Sequence, residues 1–98
     1  MPYVSDVLRE IVDDDLQKVR DEIVRLAKLD EYSGLLNYCI TELVVPLMKH
    51  KYGDRWRYEG VSDVVKTFEC AKLEFYRRIG ASYEDSCIAR IGDVKAYE

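Results

Sequence analysis

Apolar residues recur at steps of three and four along most of this 98-residue chain, and the alternation that marks a strand is almost missing. That period commits the chain to amphipathic helices packed on one another. The first piece, Ser5 to Val12, is short, with Ser5 as cap and Leu8, Ile11 and Val12 inward. The acidic run Asp13-Asp14-Asp15 then suits a helix start, where the dipole favours negative charge. Leu16, Val19, Ile23, Leu26 and Ala27 continue the period over roughly 14 to 29.

Ser33 is the expected cap of a second helix that runs to about Tyr52, with Gly53 placed to stop it. Its inward stripe is Leu36, Cys39, Ile40, Leu43 and Leu47. Pro46 removes a backbone donor and crowds the carbonyl of Glu42, so a kink or early end is expected there. Gly53 to Gly60 is expected as a loop, and Ser62 as the cap of a third long helix that ends at Gly80. Ala81 to Ile91 forms a further short helix, broken by Gly92-Asp93 and followed by a tail. The expected architecture is all-α: one domain, residues 1–98, built as a compact bundle of three long helices with short terminal helical segments.

Composition narrows the function classes. With 19 acidic against 15 basic side chains the net charge is −4, which argues against a duplex-DNA partner, whose affinity comes from many cation–phosphate contacts. No apolar run approaches the roughly 20 residues of a membrane span. The N-terminus has no secretory pattern, so a cytoplasmic protein is expected. Cys39, Cys70 and Cys87 are odd in number and far apart, and His50 is the single imidazole, so neither a disulfide framework nor a transition-metal site is suggested. No cofactor is implied. A domain of this size is often helped by self-association, and a homo-oligomer is expected.

Several residues fit a plain bundle badly. In the third helix Val61, Val64, Val65, Phe68, Phe75 and Ile79 share one stripe, and Lys72 falls near its middle. An ammonium there must reach water, pair with a carboxylate or meet an anionic ligand. The ordinary reading is a local pair with Glu69; the other is a ligand site. Lys72, Tyr76, Arg77 and Tyr83 together suit a phosphorylated ligand, because guanidinium groups fork onto phosphate and aromatic rings stack on bases. Against this, arginines near a helix C-terminus are favoured by the dipole alone, and Glu74 can pair with Arg77 or Arg78. Asn37 beside the second helix's stripe is a supporting candidate for a base edge or for a backbone bond.

Leu35, Tyr38 and Val45 form a second apolar stripe on the second helix, and Cys70 and Leu73 lie opposite Phe68 and Phe75. At least one of these faces is expected to meet another subunit. Arg55-Trp56-Arg57-Tyr58 alternates cations with aromatics, as a nucleotide surface does, or as a loop does when its tryptophan covers a core edge. Motifs for phosphate loops, dinucleotide folds, zinc proteases and nucleophilic triads are missing. A divalent-cation-dependent nucleotide hydrolase would need several carboxylates on one cavity, yet Glu69 and Glu74 do not share a face and Glu42 stands alone.

Leu36 to Leu43, Glu69-Cys70-Ala71-Lys72-Leu73-Glu74-Phe75-Tyr76-Arg77-Arg78, Tyr83-Glu84-Asp85 and Gly92-Asp93-Val94 together resemble a family of small, largely uncharacterised proteins encoded by tailed phages and prophages. The opening Met1-Pro2-Tyr3 is similar too, whereas Ala81-Ser82 and Ser86 depart from the pattern. The resemblance implies action inside a bacterial host and supplies no reaction. In outline such proteins are similar to sponges that sequester cyclic-nucleotide signals of host immunity. The expected function is therefore binding of a small phosphorylated ligand, with Lys72 and Arg77 on phosphate and Tyr76 and Tyr83 stacking. The alternatives are a protein-interaction module and, behind it, the nucleotide hydrolase.

Overall fold

A computed structural model of the chain describes residues 4–27 and 31–97. Among the described residues every regular element is helical and no strand occurs. Among the described residues no helix is long and apolar enough to cross a membrane. The chain divides into two units, Met1–Val61 and Ser62–Glu98.

In the first unit, α1 spans Asp6–Leu26 and is capped by Ser5, whose hydroxyl accepts from the Leu8 amide at 3.4 Å. The expected break before Asp13 does not exist. Asp13, Asp14 and Asp15 lie in mid-helix, because the apolar steps of four and three carry through them from Leu8 and Val12 to Leu16 and Val19. Local pairs offset part of the acidic charge: Arg9–Asp6 at 3.7 Å, Lys18–Asp15 at 3.8 Å and Arg25–Glu22 at 2.7 Å.

The second helix, α2, spans Tyr32–Tyr52. Ser33 is not its cap: the helix already includes Ser33, and Glu31 precedes it without a side-chain cap bond. Pro46 does not end it either, since six further residues follow in helix. Gly53 does stop it, at φ 64°, a conformation that costs glycine little, and its amide donates to the Lys49 carbonyl at 2.8 Å.

Coverage on α2 differs from the expected stripe. Met48, at 5% exposure, is the one buried hydrophobic side chain among the described residues; Leu35, Val44, Val45 and Tyr52 are half-buried. Leu36, Ile40, Leu43 and Leu47, expected inward, are exposed, Leu43 at 64%. Of that set Cys39 alone is half-buried. On α1, coverage is confined to Ile23 and Leu26, next to the turn toward α2.

The third helix, α3, spans Tyr58–Phe75, so the loop is shorter than expected and Ser62 is already helical. Gly60 is the reason. It is buried in the first turn of α3, where a β-carbon would overlap the Tyr52 ring, so this glycine permits a contact and ends nothing. In the second unit α3 does not stop at Gly80. A π-helical turn, Tyr76–Gly80, follows directly and passes into α4, Ala81–Ile91, with the Ala81 amide donating to the Tyr76 carbonyl five residues back. Gly80 has ordinary helical angles, φ −62° and ψ −46°, whereas Gly92 at φ 102° ends α4. A 3-10 turn closes the described chain at Lys95–Tyr97.

Candidate functional site

Four of the five residues singled out from sequence lie in the second unit. Lys72 sits in the last turn of α3 and its ammonium is 3.5 Å from Glu69, with the side chain 72% exposed. The stripe around it, Val61, Val65, Phe68, Phe75 and Ile79, is exposed as well. The premise of a charge driven into a greasy surround does not hold, because the face that carries Lys72 is open to water. Its charge is met by the carboxylate one turn back.

Arg77 and Arg78 converge on one carboxylate: Glu74 receives the Arg77 guanidinium at 3.2 Å and the Arg78 Nε at 2.5 Å. Glu74 is half-buried beneath them. Both partners are supplied within the helix, at spacings of three and four. Tyr83, in α4, is exposed, and its backbone carbonyl accepts from the Ser86 hydroxyl at 2.7 Å.

Tyr76 is the one residue of the set with a built setting. Its hydroxyl donates to Glu84 Oε2 at 2.5 Å, and its ring lies on Gly80, where a β-carbon would stand 2.7 Å from Cδ2. The hydrogen bond to the Glu84 carboxylate raises the phenol above its ordinary ionisation range, helped by partial desolvation and by the negative charge of Glu84 and Asp85. Tyr76 is therefore held as a neutral donor. Glu84 escaped sequence reasoning for a geometric reason. In a regular helix the residue two turns on is i+7, and the extra residue of the π turn moves that place to i+8.

Asn37 lies in the first unit, on α2. It lines an open hollow of about 650 Å³ with Ser33, Gly34, Tyr38, Thr41 and Glu42. The Thr41 hydroxyl donates to the Asn37 carbonyl at 3.0 Å and stands 3.5 Å from its Oδ1. A second open hollow, of about 610 Å³, is lined by Lys51, Tyr52, Arg55, Trp56 and Arg57. There the Trp56 indole donates to the Gly53 carbonyl at 3.1 Å, and the Lys51 ammonium lies 5.4 Å from the Tyr52 ring centre. Sequence reasoning named this loop without bringing Lys51 and Tyr52 into it. The link is the left-handed turn at Gly53.

Among the described residues no group of three or more His, Cys, Asp or Glu side chains is placed to hold a metal ion. Cys39, Cys70 and Cys87 are free thiols. A family model described as a domain of unknown function, DUF6899, matches residues 1–94. The chain belongs to the DUF6899 family. No curated protein and no solved structure matches it.

Proposed function

We propose that this DUF6899 protein is a non-enzymatic binding module that works as a homo-oligomer, assembled through α2. The observation that carries this reading is the exposed stripe Leu36, Ile40, Leu43 and Leu47. Glu42 is the single charged residue from Tyr32 to Met48, and apolar side chains occur on every side of the helix. A helix of that kind is ordinarily covered all round in water. The stripe carries no charge to be matched, so a second copy of the same stripe is a fitting occupant.

The α1 stripe Leu8, Val12, Leu16 and Val19 is exposed too, and offers a second apolar surface for the same assembly. On this reading the compact bundle expected from the sequence forms between copies, α1 and α2 of one packing on α1 and α2 of the other. Sedimentation equilibrium of the full chain tests it. A mass of at least twice 11.5 kDa at micromolar concentration is expected; a monomer at that concentration overturns it.

The role proposed for the assembly is capture without turnover of a small phosphorylated ligand. The resemblance to tailed-phage proteins suggests the setting: the cytoplasm of a bacterial host, with a cyclic-nucleotide immune signal as the ligand to be sequestered. Its support in the second unit is the presence of Lys72, Tyr76, Arg77 and Tyr83 within the continuous helical run from α3 through the π turn into α4. Weighing against that location, Lys72 and Arg77 already meet Glu69 and Glu74. A thermal-shift panel of linear and cyclic nucleotides tests the role: stabilisation with the ligand recovered intact supports capture, release of a changed product points to a hydrolase, and no shift favours a protein partner.

A further inference from the structure

Of the described cations six form ion pairs, and eight, Arg20, Lys49, Lys51, Arg55, Arg57, Lys66, Arg90 and Lys95, form none with a described residue. Arg9, Lys18, Arg25, Lys72, Arg77 and Arg78 each meet a carboxylate three or four residues away. Lys51, Arg55 and Arg57 make no ion pair with a described residue, and they line one hollow together with Tyr52 and Trp56. No carboxylate lines it, although Asp54 and Glu59 lie close by in sequence.

The dipole accounts for part of this. Lys49, His50 and Lys51 occupy the last turn of α2, where positive charge is favoured whatever the function. It does not account for Arg55 and Arg57, which lie beyond the helix end on a segment without regular structure. Nor is Trp56 spent as a cover: it remains 43% exposed while its indole nitrogen is tied to Gly53. That bond fixes one edge of the ring system and leaves the rest available. Tyr52, half-buried against Gly60, forms a firm wall on the helix side.

We infer that the hollow lined by Lys51, Tyr52, Arg55, Trp56 and Arg57 is a binding site for a nucleotide, with the phosphates on the two guanidinium groups and Lys51, and the base on the Trp56 indole. Guanidinium forks match phosphate oxygens, an indole offers a flat face to any base, and about 610 Å³ is within the range of small-molecule sites. The inference goes beyond self-association through α2, since none of the five residues belongs to the exposed α2 stripe. It also places a phosphorylated ligand apart from Lys72 and Arg77.

Trp56 is the single tryptophan, so the intrinsic fluorescence of the full chain, excited at the red edge, reports on this hollow alone. The experiment titrates the chain with ADP, with inorganic phosphate and with a short oligouridylate. A saturable change with ADP is expected, weakened about tenfold or more in Arg55→Gln with Arg57→Gln, while helicity and sedimentation mass stay unchanged. The inference is overturned by no saturable change with ADP, by an ADP response untouched by the double substitution, or by an oligouridylate response with ADP silent, which would assign the loop to single-stranded nucleic acid. An inorganic phosphate response equal to that of ADP would remove the base from the site and overturn it as well. Failure of these tests leaves the sedimentation result standing, so the two readings are separable.

Discussion

The Tyr76 hydroxyl donates to Glu84, eight residues along the chain, and this bond ties the start of the π turn to the first turn of α4. Its consequence is a phenol that resists ionisation, mainly through the hydrogen bond itself and then through desolvation and nearby negative charge. A folded-state pKa above the unfolded value contributes stability that is complete below the ordinary tyrosine range, and that is lost as pH rises through the raised value. The bond should therefore hold at neutral pH and weaken above about pH 10. Site-resolved NMR titration of the tyrosine Cζ signals should find Tyr76 ionising above the ordinary range, and Glu84→Gln should bring it back down. Ionisation in the ordinary range before the substitution would show that the bond is not made in solution.

Gly80 makes room for the same ring. In an exposed helix Gly→Ala ordinarily gains about 1 kcal/mol, but here the new methyl meets the Tyr76 ring, whose far end is held by Glu84. Gly80→Ala should therefore cost about 1 kcal/mol in place of gaining it, and the ordinary gain should return in the Tyr76→Ala background. Urea melts of the four proteins give the coupling directly. Simple additivity would mean that the ring moves aside without loss.

These glycines show where the sequence was legible and where it was not. Gly53 and Gly92 behave as periodicity predicts: the apolar pattern ends at each, and φ of 64° and 102° is available to glycine at little cost. Gly60 and Gly80 carry the same letter and do the opposite, one admitting the Tyr52 ring and the other the Tyr76 ring inside continuing helix. Nothing local distinguishes a glycine that bends the chain from one that admits a neighbour, because the neighbour is set by tertiary packing. The same limit applies to Lys72. Its place among apolar residues followed from 100° per residue, but whether that stripe is covered depends on what packs there.

Pro46 poses a related question of cost. It lies in the interior of α2, where proline forfeits one backbone hydrogen bond and disfavours helix by about 3 kcal/mol relative to alanine. Helix continues on both sides, so other interactions of the chain outweigh that penalty. Pro46→Ala should raise stability by about 1–3 kcal/mol, which for a chain of this size moves Tm upward by several degrees. A drop in Tm would mean that a bend at Pro46 is needed for the contacts of Met48.

Lys72 separates the two places where a phosphorylated ligand could be held. Its pair with Glu69 is exposed and spaced for a helical i, i+3 contact, a class worth about 0.2–0.5 kcal/mol. Lys72→Met should therefore change urea stability by less than about 0.5 kcal/mol, since the ammonium stands in water and the stem can lie on the same surface. If the ligand sits on the α2–α3 loop, the ADP response of Trp56 should also be unchanged. Suppose instead that Lys72→Met removes nucleotide stabilisation in thermal shift while Arg55→Gln with Arg57→Gln leaves it intact. The cation on α3 would then be the phosphate contact, its pairing with Glu69 would be a resting state that the ligand displaces, and the loop would keep only its structural bond from Trp56 to the Gly53 carbonyl.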